Sequence, residues 1–194
     1  MLKDDIYKLH KKYSHGKYSE KILEIVWTHS LIVRDISLQI AADLEKKYGI
    51  KTDKELIGTG ALFHDIGFYN CFDDNYENIC KYLLHGKIGY DILKNENYSE
   101  EIARFALTHI GVGIENCVPI SLEEEIVCHA DNFHTKSHPS FNTYNEVFLE
   151  MKGFNKDLIL ERFKDKFGIP NLNELEKQYK KWHKEINEWV DSIK

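Results

Sequence analysis

Proline is scarce in this chain: Pro119, Pro139 and Pro170 are all there is among 194 residues. Proline breaks helix interiors, so little in the sequence opposes long helices. Cysteine is scarce too. Cys71, Cys80, Cys117 and Cys128 form no Cys-x-x-Cys pair. That excludes a zinc ribbon or a thioredoxin-type motif, and the four read as reduced thiols packing as small apolar groups. No apolar run approaches the roughly eighteen residues of a membrane span. Met1-Leu2-Lys3-Asp4-Asp5 has no apolar leader core, so the expectation is a cytoplasmic protein that engages no membrane. Positive charge is in deficit, with 26 Lys and Arg against 32 Asp and Glu and a formal net charge of −6. This argues against a nucleic-acid polymer as partner. Repeats, low-complexity stretches and linkers are absent, so residues 1–194 read as one domain.

What the sequence does have is helical periodicity. Ser19 is placed to cap a helix whose Ile22, Ile25, Val26, Ile32, Val33, Ile36 and Ile40 recur at three-and-four spacing. Lys46-Lys47-Tyr48-Gly49 stops it. Thr52-Asp53-Lys54-Glu55 opens a helix through about His64, with Gly67 as the breaker. A helical region is expected over 76–95, broken near His85-Gly86. Ser99 caps a helix to about His109, followed by Gly111 and Gly113. Ser121-Leu122-Glu123-Glu124 opens another, to about Phe133. After Ser137-His138-Pro139-Ser140, helices are expected near 143–152, 156–166 and 172–192. The fold class is all-α, a single-domain helical bundle. The last helix carries a stripe of Leu172, Leu175, Tyr179, Trp182, Ile186 and Trp189, read as a cap on the core, with a dimer seam as the other use. Monomer and homodimer both stay open.

Histidine is plentiful, at ten residues. His29 has Ile25, Val26, Ile32 and Val33 three and four positions away, so its imidazole faces the core. His109 follows Phe105 and Ala106; Asp131 follows Val127 and Cys128; His64-Asp65 ends a helix presenting Leu56, Ile57 and Ala61. His85 has mixed neighbours. One such residue alone reads as a hydrogen-bonded core histidine. Several helices each burying an imidazole or carboxylate would need separate partners, at about 1–3 kcal/mol for each left unpaired. A single cluster around metal satisfies them together. Imidazole and carboxylate ligands suit iron, manganese, zinc or nickel, and the lack of cysteine ligands disfavours structural zinc.

The ordered set His29, His64-Asp65-Ile66-Gly67 and Asp131 resembles the HD superfamily of metal-dependent phosphohydrolases, over about residues 25–135. Leu107-Thr108-His109-Ile110-Gly111-Val112-Gly113 and Ala130-Asp131-Asn132-Phe133-His134-Thr135-Lys136 are similar to an uncharacterised bacterial branch. The resemblance implies an HD domain with its motif core at 25–135 and the helices of 143–192 packed on it. It implies one metal on His29, His64, Asp65 and Asp131. A second would sit on His85 and His109, with Asp65 bridging and a water or hydroxide between. One or two divalent transition ions are expected, iron, manganese or nickel ahead of magnesium or zinc. The implied reaction is hydrolysis of a phosphoester or phosphoanhydride, of a nucleotide or another small phosphorylated metabolite. Asp65, His134 as proton donor to a leaving group and Lys136 as phosphate cation are the catalytic candidates. Signature residues of the HD-GYP proteins are absent. Two other readings remain: a mixed-valent diiron oxygenase of the same superfamily, and a non-catalytic nucleotide- or metal-sensing module. Arg34 and Arg104 are expected at the surface, as are His10, His15, His138 and His183. Phe63, Phe68, Tyr69 and Phe72 flank the doublet and read as core packing, with stacking on a nucleobase as the alternative.

Overall fold

The structure, a computed structural model, describes residues 3–79, 84–110, 117–142 and 156–193. The described elements are α1 (Lys3–Tyr13), α2 (Ser19–Tyr48), α3 (Lys54–Phe63), a 3-10 turn (Ile66–Cys71), α4 (His85–Asn95), α5 (Glu100–Thr108), α6 (Leu122–Asp131), α7 (Lys156–Phe167) and α8 (Asn173–Ile193). The fold is all-α. The helix expected near 143–152, with Cys80, Gly111 and Gly113, lies outside the described residues.

Helix α2 organises the rest. Its 30 residues span about 45 Å, and its apolar stripe runs from Ile22 to Leu44. It ends where Gly49 adopts a φ of 69° and donates its N–H to Glu45, 3.0 Å away, an αL stop that glycine enters freely. Ser19 is the first helical residue and caps nothing; Tyr18 precedes it. Asp53, not Thr52, caps α3, accepting the Leu56 N–H at 2.9 Å. Ser99 and Ser121 cap α5 and α6 as expected.

α2 packs on α3 and α6, while α4 packs on α5 and the 3-10 turn. Two apolar clusters result. One joins Ile6, Ile25, Val26, Phe63, Leu93 and Ile186. The other joins Ile32, Ile36, Phe105, Ile126, Phe133 and Phe163. Val26 and Ile32 thus belong to different clusters, and His29 lies between them on the same buried stripe.

Residues 72–79 are not helical. Phe72 and Asn78 form an antiparallel bridge, and the Asp73 carboxylate accepts the N–H groups of Asn75 and Glu77 at 2.9 and 2.8 Å. This side-chain closure competes with helix formation. The break expected at His85-Gly86 is the start of α4 instead.

Gly67 makes the close approach of α4 possible. A Cβ there would lie 2.1 Å from the His85 carbonyl oxygen and 2.3 Å from the Gly89 nitrogen. Gly67→Ala should therefore cost roughly 1–3 kcal/mol by overpacking, read by urea denaturation. Gly58→Ala, whose added Cβ would meet nothing nearer than Arg34 Cγ at 3.9 Å, should instead gain about 0.5–1 kcal/mol.

His10 is fully buried, not at the surface. Its Nε2–H donates to the Leu62 carbonyl at 2.8 Å, and its Nδ1 accepts from the Tyr69 hydroxyl at 2.9 Å. Burial lowers its pKa to about 4, against the Leu62 carbonyl, which favours the charged form. The unfolded chain, with an ordinary histidine near 6.5, binds the extra proton first as pH falls. Stability from this group is complete above pH 6.5 and drains away towards pH 4, by about 2 kcal/mol between pH 6.5 and 5. His10→Gln, which can still donate to Leu62, should flatten that slope in urea unfolding of the chelator-treated protein.

Candidate metal centre

The helix ends converge. His64 caps the C-terminus of α3, His85 opens α4, His109 caps the C-terminus of α5 and Asp131 is the last residue of α6. His29 meets them from mid-α2. His29, His64, Asp65, His85 and His109 are buried, and Asp131 keeps 19% of its side chain exposed.

Asp65 is the hub. Its Oδ2 lies 3.2 Å from both His29 Nε2 and His64 Nε2. Its Oδ1 lies 3.2 Å from His85 Nε2 and 3.4 Å from His109 Nε2. One carboxylate oxygen thus faces each histidine pair. Asp131 Oδ1 completes the first group, 2.9 Å from His29 Nε2 and 3.3 Å from His64 Nε2. Two sets of donor atoms result: His29, His64, Asp65 and Asp131; and Asp65, His85 and His109. Within each set all atoms lie within 4.8 Å of one another.

The histidine tautomers are set from behind. His64 Nδ1–H donates to the Ala61 carbonyl at 2.7 Å, and His109 Nδ1–H donates to the Ala106 carbonyl at 2.8 Å. In both rings Nε2 is thereby the nitrogen turned towards the cluster, the outer-shell pattern of metal-ligating histidine. His85 Nε2 and His109 Nε2 stand only 2.8 Å apart. Neither Asp65 oxygen, though fully buried, accepts a hydrogen bond of regular geometry. Four imidazole nitrogens converging on a fully buried carboxylate are a donor set that fits a divalent cation.

Lys136 reaches the same oxygen, its Nζ 2.7 Å from Asp65 Oδ2. Burial opposes the Asp65 charge, yet the Lys136 ammonium and His64 hold the carboxyl well below the usual range. Burial also disfavours a charged His64, but the Asp65 and Asp131 carboxylates outweigh it and raise its pKa to about 10. His109 is pushed the other way, to about 4, by burial against the pull of Asp65.

His134 stands one layer back. Its Nδ1 is 2.8 Å from His29 Nδ1, and its Nε2 is 3.0 Å from His183 Nε2. Both ring nitrogens are engaged by imidazoles and neither faces the cluster. His183 is half-buried, not free at the surface, and sequence reasoning missed it. Its only signal was adjacency to Trp182 on the α8 stripe. Arg34 pairs with its neighbour Asp35, whereas Arg104 makes a two-point ion pair with buried Glu124 at 2.8 and 3.0 Å. Neither arginine is among the cluster's partners.

Residues 26–136 match the HD domain family. An uncharacterized protein of Methanocaldococcus jannaschii is 34% identical over 61% of this chain and 70% of its own length. The dihydroneopterin 2',3'-cyclic phosphate phosphodiesterase of the same organism is 27% identical over 63% of this chain and 49% of its own. A tRNA (cytidine(56)-2'-O)-methyltransferase of Picrophilus torridus is 27% identical over 81% of this chain, which spans 42% of that enzyme. Among solved structures, the HD domain of the L. monocytogenes phosphodiesterase PgpH shares the fold, with a TM-score of 0.51 and 18% identity over 90% of this chain and 97% of that one.

Because His64 carries a proton in the ion-free site, its Nε2 can ligate only by giving that proton up. Manganese binding at pH 8 should release close to one proton per chain, and affinity should rise with pH up to about 10. Calorimetry in buffers of unlike ionisation enthalpy measures this. No proton release, together with manganese affinity unchanged in His64→Ala, would remove His64 from the ligand set.

Proposed function

The chain belongs to the HD domain family, and on that footing we propose that it is a metal-dependent phosphohydrolase. It cleaves a phosphoester or phosphoanhydride of a small phosphorylated metabolite, of the nucleotide type, in the cytoplasm. One observation carries the reading: the two oxygens of buried Asp65 divide between two histidine pairs, the arrangement a bridging carboxylate needs. His29, His64, Asp65 and Asp131 would hold one ion, and Asp65, His85 and His109 a second. An all-nitrogen-and-oxygen donor set favours iron, manganese or nickel over magnesium. The same reading treats residues 1–194 as one HD domain.

Bound ions would bring the pKa of a coordinated water towards neutrality and offset phosphoryl charge. The chain supplies the rest. Ala61 and Ala106 fix two imidazoles through their Nδ1–H groups. His134 acts on His29: with His29 ligating through Nε2, its Nδ1–H donates to His134 Nδ1, and His134 in turn donates Nε2–H to His183. In this reading His134 positions His29 and does not hand a proton to the leaving group. Lys136, buried beside Asp65, is the cation within reach of a phosphate oxygen. The phosphodiesterase relative, which shares less than half its length with this chain, makes cyclic phosphodiesters the first substrates to try.

Protein purified without chelator should carry two transition ions per chain, and His85→Ala or His109→Ala should carry about one. The metal-loaded protein should hydrolyse a member of a phosphomono- and phosphodiester panel. Lys136→Met should retain its metal and lose on the order of 10²-fold in kcat, the scale for removing one charge-stabilising donor. Substrate-dependent oxygen uptake by the iron form would replace this reading with an oxygenase. Tight nucleotide binding with no cleavage across the panel would replace it with a sensing module.

A further inference from the structure

A cavity of about 380 Å³ opens beside the metal centre, in the size range of small-molecule sites. Its wall is largely apolar and aromatic: Phe68, Phe72 and Tyr76 on one side, Trp189 of α8 on another, with Lys136 among the few polar groups. Two lining residues tie it to the centre. Lys136 Nζ is 2.7 Å from Asp65 Oδ2 and stands 5.5 Å over the Phe68 ring. The Phe68 ring in turn meets His85 edge-on, with centroids 6.3 Å apart. A group joined to a phosphate held at Lys136 would therefore enter this cavity.

The aromatic wall is organised. Phe72 and Tyr76 stack with centroids 4.4 Å apart and planes 17° from parallel. Tyr18 braces both sides, edge-on to Tyr76 at 6.0 Å and to Trp189 at 5.6 Å. Tyr76 is held at a φ of 69°, a left-handed conformation costing a bulky residue roughly 1–2 kcal/mol. The Phe72–Asn78 bridge and the Asp73 carboxylate hold that loop closed. Strain of this kind persists where the surroundings over-determine it, often at binding sites. Trp189 also lies outside residues 26–136, the part matched by the family, so that side of the wall comes from α8.

We propose that Trp189, Phe72 and Tyr76 form a selectivity subsite that takes a flat aromatic ring carried by the phosphorylated substrate. The inference rests on the phosphohydrolase reading for its phosphate end, but its test does not need turnover. Apolar, ring-lined walls next to a charged centre suit a molecule with one anionic end and one flat apolar end. Base-to-aromatic stacking contributes enough to discriminate.

The test uses the full-length, manganese-loaded protein and three probes: adenosine 5'-phosphate, ribose 5-phosphate and octyl phosphate. Calorimetry should show the nucleotide binding at least about tenfold tighter than ribose 5-phosphate, the scale of one stacked base. Trp189→Leu and Phe72→Leu keep apolar volume in the cluster and remove a ring each. Both should bring the nucleotide close to ribose 5-phosphate, whose affinity stays unchanged, and thermal melts identify any variant that fails to fold. Equal wild-type affinity for the nucleotide and ribose 5-phosphate overturns the subsite. So does a preference that survives in both folded variants, or tighter binding of octyl phosphate than of the nucleotide. Phosphate release is followed in the same mixtures. Ring preference without release of phosphate from any panel member counts against the hydrolase and leaves the subsite standing, whereas turnover without ring preference does the reverse.

Discussion

A carboxylate with no solvent exposure governs this fold. Burying an ionised Asp without compensation costs far more than a domain can spare, so the structure must bring partners to Asp65. It does so by ending helices there. α3, α5 and α6 stop, and α4 starts, at residues that point into the centre. Among the described helices that supply its donors, only α2 runs past it, giving His29 from mid-stripe. The two apolar clusters meet across this polar junction. Hydrophobic burial therefore stabilises the bundle on either side of the centre, and the centre specifies how the two halves are joined.

The same constraint explains the glycine after the doublet. Asp65 can touch His85 and His109 only if the 3-10 turn lies against the first turn of α4, and the backbone contacts at Gly67 leave no room for a side chain. The His64-Asp65-Ile66-Gly67 run thus combines ligand chemistry with a packing requirement. Arg104 and Glu124 support the arrangement at a distance, pinning α5 to α6 through a two-point ion pair whose loss would leave the buried carboxylate with the Ile120 N–H but without its counter-ion.

Local signals were legible where the physics is local. The α2 stripe, the Gly49 stop and the Ser99 and Ser121 caps follow from spacing and side-chain chemistry within a few residues. The buried imidazoles and acids stood out because a polar group on an apolar stripe demands a partner. What the sequence hid was the identity of partners far along the chain. His10 was read as exposed because its bonds run to Leu62 and Tyr69, 52 and 59 positions away. His183 was missed for the same reason, since it meets His134 from 49 positions away. At 76–79, the first residues of the expected 76–95 helix, periodicity failed: the Asp73 carboxylate accepts the N–H groups of Asn75 and Glu77, and no apolar pattern records that.

The chain divides its work along its length. The segment matched by the family holds the donor atoms, the glycine and the lysine. Helix α8 adds Trp189 to the cavity wall and His183 to the end of the His29–His134 line, so one helix touches the centre by two routes. Ile186 and Val190 bury its inner face in the same cluster as Ile25 and Val26. Any shift of α8 is therefore felt at the cavity and at His29 together. With the donor atoms set in one segment and much of the cavity wall anchored on α8 and the 72–78 loop, the wall can change while the carboxylate hub, and the packing that requires it, stays fixed.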